Sequence, residues 1–256
     1  MSVVKNEIAL DVNPLENGFG AIVSGLDYRQ TQSAGTTRQL YNLLLEFQVL
    51  CLRSVCLSAY EFDRLGRLFG KPQVQLLREH RHPECESVSV FDSTYKNAAA
   101  KPADLKLDRR SGWHTDDSYF ETPAKITLLQ ALAIPSEGGQ TKFCDARGAY
   151  DALPNEMKQQ LGNYRAVHCY DTRRAPARAV NRTAAEAAET PDVVHPLIRT
   201  HDETGRKAIY FNSNRTDRIE GLARTESDEL LNKIHQHMTQ AKFKYHHNWQ
   251  VGEILV

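Results

Sequence analysis

Short segments of strand character recur along this chain, each only a few residues long and each closed by glycine, proline or a polar turn. Ala21-Ile22-Val23, Val49 to Leu52, Glu86 to Phe91, Ile126 to Ala133, Thr141 to Cys144, Val193 to Arg199, Lys207 to Phe211 and Phe243 to Trp249 all fit that description. They alternate or run apolar over the length of a half-buried or buried strand. Gly138-Gly139 reads as a tight turn, and Asp202-Glu203-Thr204-Gly205 as the turn of a hairpin between 193–199 and 207–211. A chain with so many short strands closes best as two sheets packed face to face.

Helices are fewer. Leu40, Leu43, Leu44 and Phe47 recur at helical spacing over Thr36 to Phe47. Ser58 caps a helix carrying Phe62, Leu65, Leu68 and Phe69, which Gly70 and Pro72 close, and Pro154 leads a helix to Leu161. Thr225 with Asp228 predicts a capped start for a helix whose buried stripe is Leu230, Leu231, Ile234 and Met238. Asn97 to Asp108 reads as a connector, and 171–190, with Arg173, Arg174, Arg178 and Arg182 among alanines, as a lid loop. The fold expected is mainly β with flanking helices, a double-sheet jelly roll in one domain over 1–256.

Charge narrows the function. Lys+Arg and Asp+Glu are 32 each and the pI is about 7.1, so the basic footprint of a nucleic-acid or anionic-membrane binder is missing. The five cysteines are scattered, never in Cys-x-x-Cys, which suits free thiols in a reducing cytosol. Met1 to Leu10 has no apolar core of a signal peptide, and no run approaches a membrane span. A cytoplasmic protein with small-molecule partners is expected, and self-association is left open.

The segment Trp113-His114-Thr115-Asp116-Asp117-Ser118-Tyr119 reads as extended. On a strand His114 and Asp116 share one face, while Trp113, Thr115 and Asp117 take the other. An imidazole nitrogen and a carboxylate oxygen so placed are two of the three ligands of a facial triad for non-haem Fe(II). The same two side chains could instead simply bond each other. Among the other histidines, His80 and His82 fall in a loop before Pro83, and His201 falls at a hairpin turn. His235 and His237 lie two apart on a helix and point to different faces. His247 reads as a satisfied core histidine, and His168 and His246 show no pattern.

These residues resemble a known family. Phe19-Gly20-Ala21 through Gly25-Leu26-Asp27, Phe69-Gly70-Lys71-Pro72, Trp113-His114-Thr115-Asp116 with Thr122-Pro123-Ala124-Lys125, Gly138-Gly139-Gln140-Thr141, His195-Pro196-Leu197-Ile198-Arg199 and Trp249-Gln250-Val251-Gly252-Glu253-Ile254 are similar to the taurine dioxygenase and 2,4-dichlorophenoxyacetate dioxygenase (TauD/TfdA) family. The resemblance implies a double-stranded β-helix that holds Fe(II) through His114, Asp116 and a distal histidine, with 2-oxoglutarate as co-substrate and dioxygen as oxidant. It implies that Thr141 contacts the distal carboxylate of 2-oxoglutarate. Because Asp116 is a carboxylate where related halogenases carry a small residue, it implies hydroxylation, with release of succinate and carbon dioxide.

Family substrates are often small anions. The expected contacts are Arg110, Tyr119, Lys125, Arg173 and Tyr210, with Arg174 beside Arg173. The family's distal histidine and its carboxylate-pairing arginine follow a Trp-Asp-Asn-Arg segment, which is expected beyond Val256. Two rival readings are a ligand-binding or scaffold protein that lost the distal ligand, and a zinc hydrolase built on the same pair.

Overall fold

The computed structural model describes residues 10–15, 18–91, 112–175 and 182–256. In chain order they form β1 (Asp11–Pro14), β2 (Ala21–Ser24), α1 (Ala34–Phe47), β3 (Leu50–Leu52), α2 (Ala59–Gly66), β4 (Arg81–His82), β5 (Cys85–Ser89) and β6 (Leu129–Gln130). Next come β7 (Thr141–Cys144), α3 (Ala146–Asp151), α4 (Asn155–Gly162), β8 (Arg165–His168), α5 (Ala184–Ala188), β9 (Val193–Pro196) and β10 (Ile198–Thr200). The last are β11 (Lys207–Ile209), β12 (Thr216–Ile219), α6 (Arg224–Met238), β13 (Lys244–His247) and β14 (Ile254–Leu255). The fold is mostly β with some helices. No helix among the described residues is long and apolar enough to cross a membrane.

Two compact units divide the chain. The first spans Met1–Phe91, Ile126–Thr141 and His246–Val256, and the second Asp92–Lys125 and Lys142–Tyr245. The first unit is built on a five-stranded sheet of order β1-β2-β3-β14-β6. Its β2 and β3 run parallel, Ala21 opposite Leu50, and α1 supplies the crossover that a parallel pair needs. Ser33 caps α1 by accepting the Thr36 amide at 3.1 Å, and Leu40 and Leu44, one turn apart, bury onto Ala21, Val23, Leu50 and Leu52. Each such fully buried leucine is worth about 1.5–3 kcal/mol of transfer free energy.

Ser58 caps α2 as expected, and Glu61 returns the hydrogen bond to complete a capping box. The helix stops at Gly66, however, so Leu68 and Phe69 lie in the tight turns after it, their amides donating to Leu65 and Gly66. The strand expected over 126–133 shrinks to Leu129–Gln130. It is the sheet edge, and the strand beside it, β14, offers only Ile254 and Leu255 for pairing.

The second unit holds the antiparallel sheet β12-β8-β9 and the hairpin β10-β11, with α6 burying Leu231, Ile234 and Met238 into the core of Ala149, Leu161, Ala166, Leu197 and Ile219. The expected hairpin is thus split. Val193–Pro196 pairs with β8 and Ile198–Thr200 with β11, and buried Leu197 is the crossover, its amide donating to the Tyr164 carbonyl and its carbonyl accepting from the Tyr210 amide. The α6 start also differs: Ala223 is the N-cap, its amide donating to Glu226 at 3.3 Å, and Asp228 serves Arg173, Arg174 and Arg224 rather than a cap. Asp145 caps the unanticipated α3. The segment expected as a lid loop carries α5 behind a Thr183–Glu186 capping box, while 176–181 and the expected connector 97–108 lie outside the described residues.

Candidate active site

The His114-x-Asp116 segment is not a strand. Asp116 to Tyr119 form a turn, with Asp117 in the left-handed region at φ 56° and the Phe120 amide donating to the Asp117 carbonyl at 2.9 Å. What holds it is a strap one hundred residues away. Asn212, fully buried, donates through Nδ2 to the Thr115 carbonyl at 2.8 Å and the Ser118 hydroxyl at 2.9 Å. The Ser213 amide and hydroxyl both donate to the Trp113 carbonyl, at 2.9 and 2.6 Å, and Asn214 Nδ2 donates to the Gly112 carbonyl at 3.3 Å. The approach is so close that a Cβ at Gly112 would lie 2.3 Å from Asn214 Oδ1. The loop's polar backbone is therefore satisfied by side chains and not by a sheet ladder, which is why strand alternation does not describe it.

The pairing expected from alternation survives by this other route. His114 Nε2 lies 3.4 Å from Asp116 Oδ1. His114 Nδ1 lies 2.9 Å from the Gly112 carbonyl, which can only accept, so Nδ1 carries a proton and Nε2 is the nitrogen turned toward Asp116. Two donors coordinating one cation at about 2.1 Å and at right angles lie about 3 Å apart. The pair fits a divalent metal. Asp116 raises the His114 pKa, as its carboxylate favours the imidazolium, while burial works the other way. Asp117 is differently employed: Oδ1 accepts the Tyr119 hydroxyl at 3.0 Å, and burial pushes its carboxyl upward.

Around this loop the second unit packs rings and arginines. Tyr119 is buried and meets Tyr170 edge-on at 5.0 Å, and the Arg215 guanidinium lies over both rings, 5.3 and 4.4 Å from their centres. His195 Nε2 meets the Phe120 carbonyl at 3.0 Å. Tyr210 stacks on fully buried His168 at 5.4 Å and takes Arg199 over its ring at 4.6 Å. Burial, with the charges of His195 and Arg199, holds the His168 pKa down at about 3.

The expected substrate contacts fare unequally. Tyr119 belongs to the loop itself, and Tyr210 meets His195, the ring that bonds the Phe120 carbonyl, with ring centres 5.4 Å apart. Lys125 is ion-paired with Glu203 at the hairpin turn. Arg173 and Arg174 both face Asp228, at 3.8 and 2.7 Å, so their charge is answered within the protein. Arg110 lies outside the described residues. Thr141, in the first unit, accepts the Trp249 indole N–H at 2.9 Å. Three residues that frame the loop carried no sequence signal read as functional: Asn212, Arg215 and His195.

Among the described residues, the three potential metal-ligand atoms that gather within 4.8 Å of one another belong to another place, Cys51, His247 and Glu253 in the first unit. There Glu253 already takes Arg53 and His247, both at 3.1 Å, and the Gln250 amide at 2.7 Å. The Cys51 thiol is pushed up to about 12 by burial and by Glu253, so it stays protonated. This is a neutralised buried network, and His247 is the satisfied core histidine expected.

The likeness to known proteins agrees with the pair's chemistry. The family described as Taurine catabolism dioxygenase TauD, TfdA family matches residues 11–256. The alpha-ketoglutarate-dependent 2,4-dichlorophenoxyacetate dioxygenase of Cupriavidus pinatubonensis is 30% identical over 95% of this chain and 87% of its own length. Pentalenolactone F synthase of Streptomyces arenae is 27% identical over 96% of this chain and 86% of its own. A solved structure of AAD-2 in complex with Mn(II) and N-oxalylglycine superposes with a TM-score of 0.76 at 25% identity, covering 96% of this chain and 86% of that one. With the match running from the first described strand to the last, this chain belongs to the TauD/TfdA family of Fe(II)- and 2-oxoglutarate-dependent dioxygenases.

Proposed function

We propose that His114 Nε2 and Asp116 Oδ1 hold the iron, and that this enzyme hydroxylates a small organic anion. Substrate, 2-oxoglutarate and dioxygen give hydroxylated product, succinate and carbon dioxide. The observation that carries the reading is the geometry of the pair: the Gly112 carbonyl accepts from Nδ1 of His114 and so turns Nε2 toward Asp116 Oδ1, 3.4 Å away, where a divalent metal would take the place of a proton. Bound iron with its co-substrate supplies the oxidation, and the protein supplies position and surroundings. The strap Asn212–Asn214 fixes the loop, and Tyr119 engages Asp117 so that Asp116 alone faces the imidazole.

Thr141 is the residue we assign to the distal carboxylate of 2-oxoglutarate. Retention of a carboxylate at Asp116 favours hydroxylation over halogenation. The anionic substrate is supported by the relative named for 2,4-dichlorophenoxyacetate, itself a carboxylate. We assign the chain to a single jelly-roll oxygenase domain, on the strength of a family match over 11–256, with 171–190 as a lid, working in the cytoplasm.

The test is succinate formation by the protein supplied with Fe(II), 2-oxoglutarate and oxygen. Asp116→Ala and His114→Ala are expected to abolish it and Asp117→Asn to retain it. An Asp116→Ala protein that makes succinate at the wild-type rate overturns the assignment.

A further inference from the structure

Arg215 differs from its neighbours in how its charge is answered. Arg174 has Asp228 at 2.7 Å and Arg224 has Asp217 at 2.7 Å. No carboxylate among the described residues pairs with Arg215: its Nη1 donates to the Tyr170 carbonyl at 2.9 Å and, more weakly, to the Asn214 carbonyl at 3.5 Å. The side chain is half-buried, and a guanidinium cannot shed its proton. The faces of Tyr119 and Tyr170 offset part of the desolvation, since ring quadrupoles attract cations. They hold the guanidinium in place without neutralising it.

Its position is also constrained. Asn212, Ser213 and Asn214, the three residues before it, are those that bond the His114-x-Asp116 loop. Tyr119, beneath the guanidinium, donates to Asp117 of that loop. A fixed, unneutralised cation flanked by two tyrosine rings therefore borders the proposed iron ligands, all within the second unit.

We propose that Arg215 determines substrate specificity by binding the oxyanion of the substrate, a carboxylate, sulfonate or sulfate group, while the Tyr119 and Tyr170 rings pack against its organic part. This assignment rests on the oxygenase reading of His114 and Asp116. It replaces Lys125, Arg173 and Arg174, whose charges are met by Glu203 and Asp228, as the anion contact.

The experiment measures kcat and KM for succinate formation with two anion and neutral pairs, phenoxyacetate against phenoxyacetamide and hexanesulfonate against hexanesulfonamide. Wild type is expected to favour at least one anion over its neutral partner by about tenfold or more in kcat/KM. Arg215→Gln is expected to raise the KM for that anion about ten- to a hundredfold, collapsing the preference, with most of the loss in KM and not in kcat. Arg215→Lys recovers part of it, because the charge returns without the planar fork. Thermal melting of both variants checks folding. If Arg215→Gln lowers anion and neutral partner equally, Arg215 is structural and the inference falls. It falls too if wild type turns over these compounds with no preference for an anion in either pair. A wild-type protein that makes no succinate under any condition instead overturns the oxygenase reading itself.

Discussion

Replacing Asn212 with alanine removes the hinge pin of the site. The side chain is fully buried and makes three hydrogen bonds, to the Thr115 carbonyl at 2.8 Å, the Ser118 hydroxyl at 2.9 Å and, as acceptor, from the Asn214 amide at 3.0 Å. At about 1 kcal/mol net per bond the loss is about 3 kcal/mol, rising toward about 5 kcal/mol because the partners left behind are shielded from water. Urea denaturation reads this as a lower midpoint with an unchanged slope. The same substitution frees the turn that holds His114 and Asp116 together, so metal affinity falls about ten- to a hundredfold. Asn212→Asp, equal in size, turns a carboxylate oxygen toward the Thr115 carbonyl and is expected to weaken metal binding at least as much as alanine does. An Asn212→Ala protein that loses less than about 1 kcal/mol and binds metal normally would show that the loop holds itself, and the strap argument would be wrong.

Other expectations follow from single contacts. Gly252→Ala should destabilise the first unit by clearly more than Gly138→Ala: both glycines have positive φ, at 90° and 76°, but only at Gly252 would the Cβ strike backbone, Ser54 O at 2.7 Å. The comparison of denaturation midpoints checks it, each variant paying about 1–2 kcal/mol for the left-handed conformation alone. Glu253→Ala takes away the carboxylate that buried His247 and the Gln250 amide both meet and should cost about 3–5 kcal/mol by the same assay. His168 titrates at about 3 in the folded protein against 6.5 in the unfolded chain, so the unfolded state binds the extra proton between those values. The stability it contributes is complete above about pH 6.5 and is lost as pH falls, by about 2 kcal/mol at pH 5. His168→Phe should flatten the stability profile between pH 7 and pH 5, and a profile as steep as wild type would count against it.

Local signals in the sequence translated well where a few neighbouring residues decide the outcome. Ser58 caps α2, and Leu40 and Leu44 face the core, since capping and periodicity are matters of one helical turn. Thr183-x-x-Glu186 carried the same capping signal inside a segment read as a loop, and it begins α5. Long-range partners were out of reach. The identity of His114 and Asp116 as a pair was legible, but its conformation was set by Asn212, 97 residues from Thr115, and not by strand alternation. Arg173 and Arg174 read as free cations until Asp228, 54 residues beyond Arg174, was brought against them. Arg215, which no sequence pattern singled out, gained meaning from the two rings it covers.

The central claim is that His114 and Asp116 are metal ligands. A crystal structure of the protein soaked with Mn(II) and N-oxalylglycine, with the metal located by its anomalous scattering, tests it in one measurement. We expect manganese within about 2.0–2.3 Å of His114 Nε2 and an Asp116 carboxylate oxygen, with His114 Nδ1 still donating to the Gly112 carbonyl. Manganese bound through Asp117, or at Cys51, His247 and Glu253 with the His114–Asp116 pair vacant, would contradict the account.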